Sequence, residues 1–212
     1  MNQAILTLKI DKTPHQRDVE KLRGYISSLK SEEVLLHNHI DDYDFRYKAP
    51  LIQYKLINNQ LGVVAYDKGV QILETIYPTL NTLNLKGETV PITSKALDTK
   101  PLTFEVSTQL HRYKLQTPWI AINQENYKRY RAGEFDLNRQ MQNNILSNFK
   151  DLGIRIDQQI MCNGKFEPTT IVLKDTKLIA FFGEFVTNID IPNYMGVGKR
   201  KSIGYGTLIK ID

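Results

Sequence analysis

The order of hydrophobic periods along the first hundred residues constrains the fold of this chain most strongly. Residues 3–10, "QAILTLKI", alternate apolar and polar side chains, as a half-buried strand does. Thr13 and Pro14 then supply an N-cap and a first-turn proline, which predict the start of a helix. Apolar residues recur at helical spacing after them, at Val19, Leu22, Ile26 and Leu29. The chain therefore opens with a strand and an amphipathic helix.

The rest of the first half continues this alternation of strands and helices. The stretches "VLLHNHI", "LIQYKLI" and "LGVVAYD" are typical of strands, and "NNQLG" is typical of a hairpin turn. A second helix is predicted around "GVQILETIYP", and further strands at "LNLKG" and "PLTFEVS". Strand, helix, strand, strand, helix, strand is the order of a ferredoxin-like unit, in which two helices cover one face of an antiparallel sheet.

The second half is a less regular variant of the first. Two helices are predicted in succession, at "QENYKRYRAG" and at "FDLNRQMQNNILSNFKDLG", and the stretches "RIDQQIM", "TTIVLK", "KLIAFFGEFVTNIDI" and "SIGYGTLIKI" are predicted as strands. We therefore expect an α+β protein of two tandem ferredoxin-like (RRM-like, βαββαβ) domains. The expected domains are residues 1–105, with a histidine pair, and residues 106–212, with a C-terminal glycine-rich loop.

Composition limits the compartment and the kind of metal site. The chain has 212 residues and 41% hydrophobic content, but no apolar run approaches the roughly 20 residues that cross a bilayer. The N-terminal residues lack the charged-then-apolar pattern of a signal peptide, so we expect a cytoplasmic protein with no membrane partner. The single cysteine, Cys162, excludes an internal disulfide and argues against a cysteine-rich zinc site.

The excess of positive charge is modest but concentrated. The net charge is +5, although 23 acidic residues are present. Basic residues cluster within 111–131, which includes Arg129 and Arg131, and within 196–206, and in both places they alternate with aromatic residues or glycines. Cations neutralise phosphates and aromatic rings stack on bases, so these clusters suit RNA or single-stranded DNA. The alternative interpretation is solvated surface charge.

The C-terminal cluster has a distinctive spacing of glycines. In "MGVGKRKSIGYGTL" two glycine pairs flank a basic run; the residues are Gly196, Gly198, Lys199, Arg200, Lys201, Gly204 and Gly206. Arg200 stands where a Walker loop needs Ser or Thr, and Lys201 stands where a dinucleotide fingerprint needs its third glycine. Glycines nevertheless let the backbone approach an anion that the cations attract, so a phosphate-binding loop is predicted. A flexible hairpin with a basic tip is the alternative.

These glycines, together with residues 35–70, resemble a known family. The two Gly-apolar-Gly pairs around a basic run resemble the signature of the RAMP superfamily of CRISPR proteins. "HNH" followed by "FRYKAPLIQYKLINNQLGVVAYDKG" is similar to the repeat-cleaving endoribonucleases of that superfamily, most nearly their b-type branch. The resemblance implies metal-independent cleavage of CRISPR repeat RNA, leaving a 5′-hydroxyl and a cyclic or terminal phosphate.

Two histidines, His37 and His39, are the candidate catalytic pair. On a strand, residues i and i+2 share a face with Cα atoms roughly 6.5 to 7 Å apart, so both imidazoles could act on one phosphate. RNA transesterification needs a base for the 2′-hydroxyl proton and an acid for the leaving 5′-oxygen, and imidazoles can fill both roles near neutral pH. Tyr47 could hold one of these oxygens. The candidates for stabilising charge on the phosphate are Arg46, Lys48 and Lys55.

Other interpretations of the histidine pair stay open at this point. A metal site would need a third ligand, which His111 or Asp41 could supply, and a purely structural role is also compatible with the sequence. The letters "HNH" also name a metal-dependent nuclease motif, but the histidines of that motif lie far apart in sequence. His15, beside a predicted helix start, is expected to cap or to be solvated.

The sequence therefore predicts a sequence-specific, metal-independent endoribonuclease without cofactors, acting on CRISPR repeat RNA. The first rival is a catalytically inactive RAMP subunit that holds guide RNA in an effector complex, and the second is a general RNA-binding protein. Other subunits of an effector complex are further candidate partners. A monomer and a homodimer are both compatible with the sequence.

Overall fold

The structure, a computed structural model, describes residues 1–37 and 49–211, and these form two compact units. The first unit is Met1–Thr103 together with Ser202–Gly204, and the second contains the other described residues from Phe104 onward. Each unit carries its own four-stranded antiparallel sheet with helices, so the predicted fold class of two tandem ferredoxin-like domains is confirmed. No helix within the described ranges is long and apolar enough to cross a membrane.

The first unit has the predicted βαββαβ order, with a short hairpin inserted before its last strand. Its sheet has the order β2-β3-β1-β6, and β4 pairs with β5 separately. The elements are β1 (Asn2–Lys9), α1 (Gln16–Leu29), α2 (Val34–His37), β2 (Ile52–Ile57), β3 (Gln60–Tyr66), α3 (Lys68–Ile76), β4 (Thr82–Asn84), β5 (Thr89–Pro91) and β6 (Ser94–Pro101).

The helix and the hairpin of this unit follow from local chemistry. The N-cap of α1 is His15, whose backbone N–H donates to Asp18 Oδ2 at 2.9 Å, so the prediction of Thr13 as N-cap and Pro14 in the first turn is wrong. The carboxylate of Asp18 provides the stronger start signal. Asn58 and Asn59 have φ angles of 49° and 59°, as a type I′ turn between β2 and β3 requires.

Two predicted strands of the first half are wrong. Residues 34–37 form a short helix. Among the apolar residues of this run, Leu36 is buried while Val34 is exposed, so the alternating buried face of a strand is absent. The last strand of the unit is β6 and not residues 101–107. β6 is an edge strand of mostly exposed residues, so its sequence carries little hydrophobic signal.

The second unit has the sheet order β10-β7-β9-β8 and both of its α-helices before β8. Between its third and fourth strands, where a regular unit has a helix, this unit has no α-helix, and its residues 190–201 and 205–207 carry most of the glycine-rich segment. The elements are β7 (Val106–Leu115), α4 (Gln124–Arg131), α5 (Leu137–Asp151), β8 (Cys162–Leu173), β9 (Thr176–Ile189) and β10 (Leu208–Lys210).

Helix α5 carries the core of the second unit on one face. Met141, Ile145 and Phe149 are fully buried, as their four-residue spacing predicts. The strand predicted at residues 155–161 is wrong. Side chains cap this segment instead: Gln142 Nε2 donates to the carbonyl of Ile160 at 2.6 Å. Side-chain amides thus replace the hydrogen bonds that a strand partner would give.

Candidate functional site

The glycine-rich loop, residues 196–206, is a closed turn, and packing requires glycine at two of its positions, 198 and 206. Its ends are joined by the hydrogen bond from Val197 N to Gly206 O at 2.9 Å and by a bridge between Gly196 and Thr207. Gly206 has a φ of 62°, and a Cβ there would lie 2.1 Å from Val197 O. No other residue type fits this position without moving the backbone.

Gly198 brings the loop against the indole ring of Trp119. Its φ is 75°, and a Cβ would lie 2.6 Å from Trp119 Nε1 and 2.7 Å from the carbonyl oxygen of Ile120. Trp119 is fully buried, and its Nε1 donates to Asn144 Oδ1 on α5 at 3.0 Å. The loop backbone, the indole and this amide therefore form one packed unit.

The three cations of the loop have different surroundings. Lys199 and Arg200 are exposed, whereas Lys201 is half-buried and its ammonium donates to Asn148 Oδ1 on α5. Burial lowers the pKa of Lys201, and the nearby carboxylate of Asp151 opposes this shift. Lys201 thus ties the loop to α5, while the side chains of Lys199 and Arg200 face solvent.

Asn148 holds the loop at two points. It is 2% exposed, and its Nδ2 donates to Gly196 O at 2.7 Å while its Oδ1 accepts from Lys201. Both functions of the amide are therefore used inside the protein. A buried amide of this kind fixes the conformation of the backbone that it contacts.

A polar cavity of about 260 Å³ lies beside the loop in the second unit. Gly198, Lys199 and Lys201 line it from the loop. Uncharged polar residues line it from α4 and α5, namely Asn123, Asn126, Gln140, Asn144 and Ser147. The cavity thus combines two cations with hydrogen-bonding groups that have no charge.

A second cavity shares two of these residues and extends the polar surface. Asn126 and Gln140 also line a cavity of about 460 Å³. Its charged residues are two arginines and two carboxylates, Arg129, Arg139, Glu134 and Asp136. The structure therefore brings Arg129 next to the loop cavity along α4. Arg131 is exposed on the same helix but lines neither cavity.

The tip of the loop belongs to the first unit, near Lys55. The carbonyl of Ile203 accepts from Gln16 Nε2 at 2.6 Å, and a Cβ on Gly204, whose φ is 90°, would lie 3.1 Å from Tyr54 O and 3.5 Å from Lys55 Cα. Lys55 is fully buried on β2. Its side chain is therefore part of the interior of the unit, beneath the loop tip.

Of the candidate catalytic stretch, the structure describes the backbone as far as His37, the last residue of α2. The preceding carbonyl, that of the buried Leu36, accepts from Ser27 Oγ at 3.0 Å and from Tyr54 Oη at 3.5 Å. Burial raises the pKa of Tyr54, so that its hydroxyl stays protonated and can donate. These contacts fix the end of α2. The other candidates of this stretch, His39, Asp41, Arg46, Tyr47 and Lys48, lie outside the described residues.

His111 lies in the core of the second unit. It is 8% exposed on β7, and its Nδ1 has no hydrogen-bond partner among the described residues. Burial alone would raise the pKa of the nearby Asp190, but hydrogen bonds from Lys210 Nζ and Tyr113 Oη, at 2.9 Å each, lower it below its ordinary value. Within residues 1–37 and 49–211, no three His, Cys, Asp or Glu residues group closely enough to hold a metal ion.

Sequence reasoning missed the uncharged polar residues of the loop cavity. Gln140, Asn144 and Ser147 recur at positions i, i+4 and i+7 of α5, on the face away from Met141 and Ile145. An uncharged polar stripe beside a basic loop was the available signal. The half-buried position of Lys201 could not be predicted from the local sequence, because its partner Asn148 lies 53 residues earlier in the chain.

Comparisons with known proteins agree on one family. The model of the Cas6b N-terminal domain matches residues 1–103, and that of the Cas6b C-terminal domain matches residues 105–211. A crystal structure of a Cas6b is 29% identical, with a TM-score of 0.88 over the whole of both chains. A crystal structure of a CRISPR RNA processing endoribonuclease Cas6b is 25% identical to this chain, with a TM-score of 0.73 over the whole of both chains. An uncharacterized protein of Methanocaldococcus jannaschii is 33% identical over 139 residues, 63% of this chain and 95% of its own length.

Proposed function

We propose that this chain, which belongs to the Cas6b family over both of its units, is an endoribonuclease that cleaves CRISPR repeat RNA without a metal ion. The observation that carries the proposal is the match of two consecutive family models to residues 1–103 and 105–211. It is supported by the full-length likeness to a CRISPR RNA processing endoribonuclease. The proposal places the protein in the cytoplasm with its RNA.

The reaction proposed is transesterification by the 2′-hydroxyl next to the scissile phosphate. One histidine of the pair His37 and His39 takes the 2′-hydroxyl proton, and the 2′-oxygen attacks phosphorus. The bond from phosphorus to the 5′-oxygen breaks, and the other histidine protonates that oxygen. Arg46 and Lys48 stabilise the charge that grows on the phosphate, and Tyr47 holds the attacking or the leaving oxygen. The products are a 2′,3′-cyclic phosphate and a 5′-hydroxyl.

The glycine-rich loop and α4 form the proposed RNA seat. Lys199 and Arg200 are exposed on a loop whose backbone is fixed by Trp119 and Asn148, so their positions are set before RNA arrives. Arg129 adds a cation on α4, in a cavity that the carboxylates of Glu134 and Asp136 also line. A preformed loop loses little conformational freedom on binding, which favours affinity.

The experiment that tests this function uses repeat RNA in excess chelator. We expect single-turnover cleavage at one position, and no cleavage when the nucleotide before that position is 2′-deoxy, because the attacking oxygen is then missing. Cleavage of the 2′-deoxy substrate, or activity that returns only with added magnesium or zinc, would overturn the mechanism. Tight binding without any cleavage would favour an RNA-holding subunit of an effector complex instead.

A further inference from the structure

The cavity beside the glycine-rich loop has a fixed pattern of hydrogen-bond donors. Trp119 Nε1 donates to Asn144 at 3.0 Å, and an indole N–H can only donate, so the atom of Asn144 that faces it must be Oδ1. The amide nitrogen of Asn144, a residue that lines the cavity, is then left as a donor. The orientation of this amide is therefore fixed, because the indole of Trp119 is fully buried and its N–H needs an acceptor.

A second amide of the cavity is oriented in the same way. Asn123 is the N-cap of α4, and its Oδ1 accepts from the backbone N–H of Asn126 at 2.7 Å. Its Nδ2 is therefore a donor as well. Lys199 adds an ammonium that has no hydrogen-bond partner among the described residues. Three groups that line the cavity thus offer protons, and two of them are held in place by the fold.

The occupant that this pattern favours is a base and not a phosphate. Of the two cations that line the cavity, the ammonium of Lys201 is already bound to Asn148, and burial lowers its pKa, so little positive charge is left there for a phosphate. The wall on α5 is an uncharged row of Gln140, Asn144 and Ser147. Uncharged amides in fixed orientations read base edges, whereas phosphates are bound mainly by charge.

We propose that this cavity binds one unpaired keto base, guanine or uracil, of the RNA held by the loop, and so contributes to repeat specificity; the inference rests on the proposed function. The carbonyl oxygens of guanine and uracil accept from the side-chain amides of Asn144 and Asn123, whereas Lys199 neutralises a phosphate. Cytosine and adenine present an exocyclic amine at the corresponding position, which would set donor against donor. Single-stranded bases splayed from the backbone are the usual targets of sequence-specific RNA binding.

The test measures binding of the full chain to two fluorescent single-stranded RNAs, ten-nucleotide oligo(U) and ten-nucleotide oligo(C), by fluorescence anisotropy at one salt concentration. The two probes have the same charge and ring size, and they differ in the keto or amino group at position 4 and in the proton on N3. We expect oligo(U) to bind about 5- to 100-fold more tightly, the range that one well-placed pair of hydrogen bonds gives. Equal affinity for the two probes would overturn the assignment.

The variant Asn144→Asp gives the sharper result. It keeps an oxygen for Trp119 and replaces the donor nitrogen by a carboxylate oxygen, so the preference for oligo(U) should disappear or reverse. Asn143→Asp is the matched control, because it adds the same charge at an exposed position of α5 that lines the neighbouring cavity of Arg129 but not this one, so it reports the effect of charge alone. If Asn144→Asp does not fold, Gln140→Glu replaces it, since the side chain of Gln140 has no hydrogen-bond partner among the described residues.

The outcomes separate the inference from the function on which it rests. An equal change in the ratio of the affinities for oligo(U) and oligo(C) in both aspartate variants would overturn the proposal that the cavity binds a base. An equal loss for both probes in Asn144→Asp, beyond that of Asn143→Asp, would indicate a phosphate in the cavity and also overturn it. Cleavage of repeat RNA by the wild type would leave the proposed function intact in each case. Failure to bind either probe or repeat RNA would contradict the function itself.

Discussion

The two hydrogen bonds between Asn148 and the glycine-rich loop allow the change in the free energy of unfolding to be predicted for a variant. Asn148→Ala removes the hydrogen bond to Gly196 O and the acceptor of the Lys201 ammonium. The first bond is worth about 1 kcal/mol and the bond to a charged group about 1.5 to 3 kcal/mol. The half-buried ammonium is also left without this partner, so we expect the free energy of unfolding to fall by about 2.5 to 4 kcal/mol. Lys201→Met should cost less, because no buried charge is left unpaired.

The assay is urea unfolding followed by tryptophan fluorescence. The chain has one tryptophan, and Trp119 is fully buried against the loop, so its emission reports on the second unit. The control is Asn143→Ala on the same helix, where an exposed side chain is removed and the change should stay within about 0.5 kcal/mol. A fall in stability for Asn148→Ala no larger than that of the control would refute the claim that this amide holds the loop.

The remaining predictions concern catalysis, binding and pH. His37→Ala and His39→Ala should each slow single-turnover cleavage about 10²- to 10⁴-fold with RNA affinity nearly unchanged, and the double variant should be almost inactive; a double variant that cuts at the wild-type rate would exclude the pair. The double change Lys199→Ala and Arg200→Ala should weaken RNA binding and reduce the slope of log affinity against log salt by about 0.7 for each phosphate that is no longer neutralised, and an unchanged slope would contradict their role. Burial by itself raises the pKa of Asp190, but its hydrogen bonds bring the net pKa below the ordinary 3.8. The ionised carboxylate therefore stabilises the folded protein above that pH, and this contribution is lost as the pH falls through the lower folded-state pKa. Asp190→Asn should therefore flatten the fall of the urea midpoint below about pH 4, and an unchanged acid limb would contradict this.

The parts of the fold that the sequence predicted correctly have strong periodic patterns. β1 and α1 have several buried residues at the period of their element. β2 and β3 are short apolar runs buried on both faces and joined by an Asn-Asn turn. The errors fall where the pattern is short or weak. Residues 34–37 offer three apolar side chains, which fit a helix and a strand equally well, and β6 is an edge strand with little buried surface.

In the candidate site too, features set by neighbouring residues could be predicted from the sequence, whereas features set by distant contacts could not. Glycine spacing located the loop, because Gly198 and Gly206 meet local requirements for positive φ angles and close packing. The role of Lys201 depends on Asn148, and the orientation of Asn144 depends on Trp119, interactions that no local pattern encodes. Lys55 is similar, since its complete burial on β2 follows from the packing of the whole unit.

The most direct test of the account is the chemistry of the ends that cleavage produces. Repeat RNA is cut by the wild-type protein in excess chelator, and the masses of both fragments are measured. The account predicts a 2′,3′-cyclic phosphate, or the terminal phosphate formed from it, on the upstream fragment and a 5′-hydroxyl on the downstream fragment. A 5′-phosphate on the downstream fragment, formed only when a divalent metal is restored, would contradict it.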